Sequence, residues 1–459
     1  MKRAWEITTA AKEAAVPHLK PKAVRGPAFA EQPTPEQAIR KQISDPVADS
    51  GGPQLQLFGA IQAVGNRGRD VRAAEALIPA VWQAYEAGDD VELAKLVAQT
   101  YALLEQAPKD PQSPYWSYPE YRNFEDLLAE VAFPEKTPLS LSDDELFERL
   151  HAGWQGQIAG AAVGTMVEGY CTPQLKKAFG TIDGFLRQPT TFNDDVLYEL
   201  AFLEAVLKRG RAVTSADIAL EWVGRILYTW GAERAAYQNL QRGLFPPESG
   251  RQQNPWAEWI GAQMRGTICG MVAPGDPAEA ARLAFLDGQI SAVNNAILGE
   301  VFNALLASLA FVERGIRPLL QRAASLIPPR SEYASVLAFA LEQCEAADSW
   351  ETAWEACRAK YRRYNWIHTY PNTAAEVVAL YFCGDSFDAC MSIIALCGED
   401  VDCNAGQIGT LFGLMYGYPA LAPRWTEPFH DGFDSFFRGW EHTTVTHLAQ
   451  ETLRAAKQF

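Results

Sequence analysis

Four short polar clusters hold the residues of this chain whose types and spacing could do chemistry. The first is Gly398-Glu399-Asp400-Val401-Asp402-Cys403-Asn404-Ala405, with carboxylates at 399, 400 and 402. The second is Asn193-Asp194-Asp195, and the third is Glu168, at the end of Gly160-Ala161-Ala162-Val163-Gly164-Thr165-Met166-Val167. The fourth is Asn294-Asn295. Asp and Asn are common helix N-caps, so one such residue at a helix start has a purely structural explanation. A second carboxylate beside it adds repulsion unless a cation sits there. Asp and Asn oxygens are the hard donors that Mg²⁺ or Mn²⁺ prefers. If the second cluster meets the first, two hard cations held between them suit hydrolytic or hydroxyl-orienting chemistry. Spacing alone leaves capping and metal binding both open. Asn294 and Asn295 either cap a helix or donate to ribose hydroxyls and phosphate oxygens. Tyr198, one turn beyond Asp195, either lines the same pocket or packs.

The elements that must position these clusters read as helices. Apolar residues recur at helical spacing over 195–208, 215–230, 257–272, 277–289, 296–313, 332–346, 373–382, 387–397 and 404–416. Glycines at 406, 409, 413 and 417 fall on one face, which lets a neighbouring helix approach closely. Ser142 with Glu145 forms a capping box opening a helix that runs through Trp154 into Gly160–Gly164. Alternation of β-branched residues is absent, so an all-α domain over 142–459 is expected. Before it lies an extension, 1–141, with a helical hairpin over 71–87 and 90–106 and a short helix over 123–132. Its first 50 residues are broken by Pro17, Pro21, Pro27, Pro33 and Pro35 and should lie over the surface of another part.

Composition narrows the function classes. The formal net charge of -16 argues against electrostatic binding to nucleic acid or an anionic membrane. There is no apolar run long enough to span a bilayer, and no apolar stretch follows Lys2-Arg3 as in a secretory signal. The eight cysteines form no CxxC pair and fall in apolar helical patterns. They read as buried free thiols in a reducing compartment, hence a cytoplasmic protein.

The order and wording of the clusters resemble the ADP-ribosylglycohydrolase family, over about residues 145–420. Gly160 to Glu168 resembles the family's opening glycine-rich helix and following Glu. Asn193-Asp194-Asp195 resembles its Thr-Asp-Asp metal loop, and Gly398 to Ala405 its Gly-x-Asp-Thr-Asp-Thr/Cys-Asn-Ala motif. Asn254 to Arg265 and Val272 to Pro277 resemble a longer bacterial branch. The resemblance implies a compact, orthogonal all-α fold with two Mg²⁺ ions, Mn²⁺ being the alternative, gripping ribose hydroxyls while water attacks the anomeric carbon. It implies Asp194, Asp195, Asp400 and Asp402 as metal ligands, with Asn193 offering its side-chain oxygen. Glu168, Asp194 and Asp400 become the catalytic residues, and Asn294, Asn295 and Tyr198 the substrate-binding ones. The substrate is a small-molecule or protein-linked ADP-ribosyl or ribosyl compound, and nucleic acid enters only as a modified substrate.

The sequence departs from the family pattern at named positions. Ala161 stands where many relatives carry Asp, and Ala292 where the family often has a substrate-contacting His. Asn193 and Val401 replace Thr, and Cys403, a poor Mg²⁺ ligand, is expected to pack. These changes leave a second reading: a weakened or inactive member that binds ADP-ribose-like ligands or acts as a structural or partner protein. Trp154, Trp222, Trp230, Trp256 and Trp259 read as core or pocket walls. Arg225, Arg234 and Arg265 either meet a diphosphate or are solvated. His151 and His368 belong to no triad.

Overall fold

Helix follows helix through the computed structural model, which describes residues 2–26 and 33–459. Met1 and Pro27 lie outside the described residues. The all-α expectation holds: the strands among the described residues are Gly432–Asp434 and His442–Thr444, a short antiparallel hairpin with Phe433 opposite Thr443.

The centre is a pair of helices that small residues allow to touch. Asp143–Gly164 opens with the Ser142/Glu145 capping box, in which the Ser142 side chain accepts from Glu145 N–H. It packs along Val401–Tyr416. Gly156 faces the backbone of Gly409, Gly160 faces that of Ala405, and Gly413 faces Ala152. A Cβ at any of these glycines would run into backbone of the other helix. The glycine spacing is therefore used for close approach, and it brings the end of one helix, near Glu168, beside the start of the other, near Asp402.

Around this pair lie Asp195–Arg209, Asn294–Leu309, Thr369–Phe382 and Phe387–Cys397. Two expected helices are shorter than the pattern implies because the chain pairs elsewhere. The segment expected over 257–272 is turns, a short 3₁₀ piece at Gln263–Arg265 and the helix Thr267–Val272. Trp259 bridges His368, and Ile260 N–H donates to Ile367 O, so tertiary pairing overrides the helical pattern. The helix expected over 215–230 stops at Arg225, because Ile226 is extended and bridges Phe437.

The extension joins the same hydrophobic core, through residues such as Ile43, Leu57 and Phe58. Helix Gln56–Asn66 is almost wholly buried. Its Gln62 donates to Arg363 O and accepts from Thr8 and Asn365. Helix Ala4–Ala14 is tied down at its end by Gln174, whose amide donates to Lys12 O, Glu13 O and Ala15 O. The first 50 residues were expected to lie over a surface; their described part is exposed or half-buried over most of its length, with Ala4, Thr8, Thr9, Ile43, Val47, Asp49 and Ser50 buried. No helix among the described residues is long and apolar enough to cross a membrane. All eight cysteines are free and buried.

Candidate active site

A turn with unusual backbone places the first acidic cluster. Gly398 has φ +77° and Glu399 φ +68°. A side chain at 398 would collide with Tyr170 O, so glycine is required there. The turn is stitched to the loop after Glu168: Gly169 N–H donates to Glu399 O at 2.8 Å, and Glu399 N–H to Tyr170 O at 3.2 Å. Asn372 fixes the next residues, since its Oδ1 accepts from Asp400 N–H at 3.0 Å and from the Asn404 amide at 2.7 Å.

Asp194 and Asp400 stand at the N-cap positions of their helices, yet neither side chain makes a cap hydrogen bond. Capping therefore does not account for these carboxylates. Carboxylate oxygens of Asp194, Asp195 and Asp402 lie within 4.8 Å of one another, and a second such group joins Asp400, Asp402 and the Cys403 sulfur. Burial, and then the charge of Asp402, pushes Glu168 well above the usual carboxylate range. Asp195 and Asp400 are raised well above theirs by the same two causes in the same order. Burial raises Asp194, and Arg25 partly offsets it.

The group that answers this negative charge comes from the extension. The Arg25 guanidinium lies 3.1 Å from Asp402 Oδ2 and 3.3 Å from Glu168 Oε1. Burial alone would lower its pKa, but Glu168, Asp194, Asp402 and Asp49 hold it well above the ordinary value. Asp49, fully buried, accepts from Val24 N–H at 2.7 Å and from Arg187 at 2.7 Å, and so anchors the segment carrying Arg25. Lys12 reaches Glu399 at 2.5 Å. Arg25, Asp49 and Lys12 had no sequence signal: each sits in a stretch without periodicity or motif.

These groups face a cavity of about 700 Å³. Glu168, Asp194, Asp195, Asp400, Asp402 and Cys403 line one end. Trp230 and Trp259 line it as well, stacked at 5.5 Å and 22°. The extension supplies Arg25, Lys41, Gln42, Asp45 and Gln56, so the cavity is composite.

Other expected site residues stand elsewhere. Asn193 is not in the lining: its Oδ1 accepts from Asp195 N–H at 2.6 Å, and its amide donates to Asp402 Oδ2 at 3.4 Å. Its oxygen is thus taken by the turn that it shapes. Asn294 and Asn295 do not line the cavity either. Asn294 accepts from Tyr121 N–H at 3.0 Å and donates to Tyr115 Oη at 3.3 Å, so it docks the extension. Asn295 donates to Glu258 at 3.1 Å and accepts from Tyr333 N–H at 3.1 Å. Tyr198 is buried against Trp222 at 4.5 Å, outside the lining. Cys403 lines the acidic end, with its sulfur 3.5 Å from Asp195 Oδ1 and 3.8 Å from Met264 Sδ. Arg265 is buried and paired with Asp287 and Glu233, and Arg225 with Glu221 and Glu204. Arg234 alone of the three lines the cavity. His368 caps Thr369–Phe382 through its ring nitrogen, and His151 meets Tyr418 and Asp431.

A helical core built on a glycine-faced pair, with acidic loops at its mouth, defines the class, and sequence comparison agrees. The chain belongs to the ADP-ribosylglycohydrolase family, whose sequence profile matches residues 142–458. Among solved structures it is similar to one described as an ADP-ribosylglycohydrolase-related protein complex. The identity is 19%, covering 69% of this chain and 99% of that one, with a TM-score of 0.49. No curated protein matches the chain.

Proposed function

We propose that this chain is a metal-dependent hydrolase of a ribosyl N- or O-glycosidic bond, in an ADP-ribosyl or nucleoside-type substrate, free or protein-linked. The observation that carries this reading is the convergence of Glu168, Asp194, Asp195, Asp400 and Asp402 on one end of a cavity walled further on by Trp230 and Trp259.

The residues fit a hard divalent cation, Mg²⁺ or Mn²⁺. Their donors are carboxylate oxygens, three of the residues cluster within 4.8 Å, and Asp402 Oδ1 is buried with no partner. Asp194, Asp195, Asp400 and Asp402 would hold one ion or two. When bound, the metal would supply positive charge that orients vicinal ribose hydroxyls. The chain's own groups do the rest. Glu168 lines the cavity beside Asp402, and in this reading it orients the attacking water and takes its proton. The acidic wall favours the positive charge that develops on the sugar as the glycosidic bond breaks. Asn193 holds the Asp195 backbone and the Asp402 carboxylate in place. The tryptophans exclude water and offer a flat face to a base.

A second reading has its own observation. Arg25 already pairs with Asp402 and Glu168, which favours a family member whose site is filled by its own chain. The two readings separate by calorimetric titration of Mg²⁺ and ADP-ribose into the full chain and into Asp400→Ala, with chromatography of released ADP-ribose before and after EDTA. Hydrolysis that stops with EDTA and with Asp400→Ala supports the first. If Mg²⁺ does not bind, or Asp400→Ala behaves as the parent does, the hydrolase reading is lost. Binding of ADP-ribose with neither Mg²⁺ binding nor hydrolysis favours the second.

A further inference from the structure

Glu233 is a buried carboxylate on the cavity wall that the proposed reaction leaves unused. It lies in the first turn of helix Gly231–Gln241, is 6% exposed and lines the cavity. The fold is shaped to seat it. A Cβ at Gly261 would run into both of its oxygens, so the glycine there leaves room for the carboxylate. Trp259, just before Gly261, and Trp230, just before this helix, line the same cavity. The charge of Asp194 reaches Glu233, which puts it within electrostatic range of the acidic end.

Its partners hold it in one orientation and leave part of it open. Oε1 accepts from Ser291 Oγ at 2.9 Å and from Arg265 Nη1 at 3.4 Å. Arg265 is itself fixed, donating to Gly261 O at 2.6 Å, to Ser291 Oγ at 3.1 Å and to Asp287. Burial raises the Glu233 carboxyl, and the Arg265 guanidinium opposes this by favouring the ionised form. An ionised carboxylate has about four acceptor positions. Ser291, Arg265 and its own backbone N–H account for the donors it has, and Oε2 receives no bond from another of the described residues. A fixed, buried acceptor with a position left open on a cavity discriminates between ligands. It favours a group that donates there and penalises one that brings negative charge.

We propose that Glu233 determines specificity by accepting a hydrogen bond from an N–H group on a planar ring that the ribose carries. The role of that ring as leaving group rests on the hydrolase reading above; the hydrogen bond does not. Ligands whose ring bears a carboxamide or amino group are then favoured, and those bearing a carboxylate are disfavoured by Glu233 itself. The tryptophans select for a flat ring, and Glu233 selects for what the edge of that ring carries.

The test compares nicotinamide riboside with nicotinic acid riboside, which differ only in carboxamide against carboxylate. Each is titrated calorimetrically into the full chain with saturating Mg²⁺. The parent should bind the amide about tenfold more tightly, the worth of a charge-assisted hydrogen bond. Glu233→Gln keeps the shape, removes the charge and presents N–H donors of its own. It should bind the amide about tenfold more weakly than the parent does, and the acid more tightly. A gain for the acid is a result that an unfolded variant cannot give. In turnover the same reversal should appear in KM, with kcat for the amide changed less. Binding of neither riboside, equal affinity for the two in the parent, or an unchanged preference in Glu233→Gln overturns the proposal. Hydrolysis of both ribosides at equal kcat/KM overturns it too, and leaves the hydrolase reading standing. The expected reversal in binding without hydrolysis of either riboside sinks the hydrolase reading and leaves Glu233 as a ligand-selecting residue.

Discussion

Arg25 Nη1 lies 3.1 Å from Asp402 Oδ2, although 377 residues separate them in sequence. A guanidinium from a proline-broken segment thus stands among carboxylates that suit a divalent cation. Arg25 and a metal compete for Asp402. Arg25→Ala is therefore expected to tighten Mg²⁺ binding at least tenfold by calorimetry. The same variant should melt lower without metal, because buried Asp402 and Glu168 lose their partner. Saturating Mg²⁺ should then raise its Tm more than that of the parent, with about 2.7 kcal/mol available at a hundred times Kd. Unchanged Mg²⁺ affinity would show that Arg25 and the metal do not share the site.

Asp402 belongs to both carboxylate groups that could hold a cation. Asp402→Asn keeps the shape and removes the charge. It should abolish calorimetric Mg²⁺ binding and lower ribosyl hydrolysis by about 100-fold or more. Circular dichroism should show the helices intact.

The glycine-faced helix pair sets the distance between Glu168 and Asp402. Gly160→Val places two methyl groups against Ala405 O, where no space exists. Overpacking of this kind costs about 1–3 kcal/mol or more. Urea unfolding should show a lower midpoint, by that free energy divided by the m value. Gly184→Val, where nothing lies within 4 Å, should leave the midpoint unchanged.

Stability should fall as pH rises from about 4.5 to about 8. Burial pushes Glu376 up to about 8, against hydrogen bonds from Gln263 and Asn303 that favour its charged form. A carboxyl whose folded pKa is raised binds more protons folded than unfolded. Its contribution is complete below pH about 4.5, the unfolded value, and declines until pH passes about 8. Glu376→Gln should therefore flatten the fall in Tm between pH about 4.5 and about 8. An equal slope in both proteins would assign that fall to other groups.

Asn294 docks the extension through Tyr115 and Tyr121. Asn294→Ala should cost about 1–3 kcal/mol, the usual range for a buried group left unsatisfied. Limited proteolysis should cut the extension faster, while affinity for ADP-ribose at the acidic end changes little. A large loss of ADP-ribose affinity with the extension still protected would return Asn294 to a substrate role.

The sequence by itself determined what local pattern can encode. Helical periodicity gave the all-α class, the Ser142/Glu145 box gave the start of the long helix, and glycine spacing gave the face on which two helices meet. Adjacent carboxylates at 194–195 and 400–402 marked the chemistry, because their mutual repulsion is legible in one dimension. Pairing across the fold was not legible. Ile260 bonds to Ile367 and not along a helix, Asn294 faces a tyrosine of the extension and not the cavity, and Arg25 enters the acidic cluster from a segment with no motif. Each of these depends on which distant backbone or charge comes within hydrogen-bond reach, and no periodicity in the chain records that. Tertiary structure alone made the cavity composite and set Glu233 in its wall.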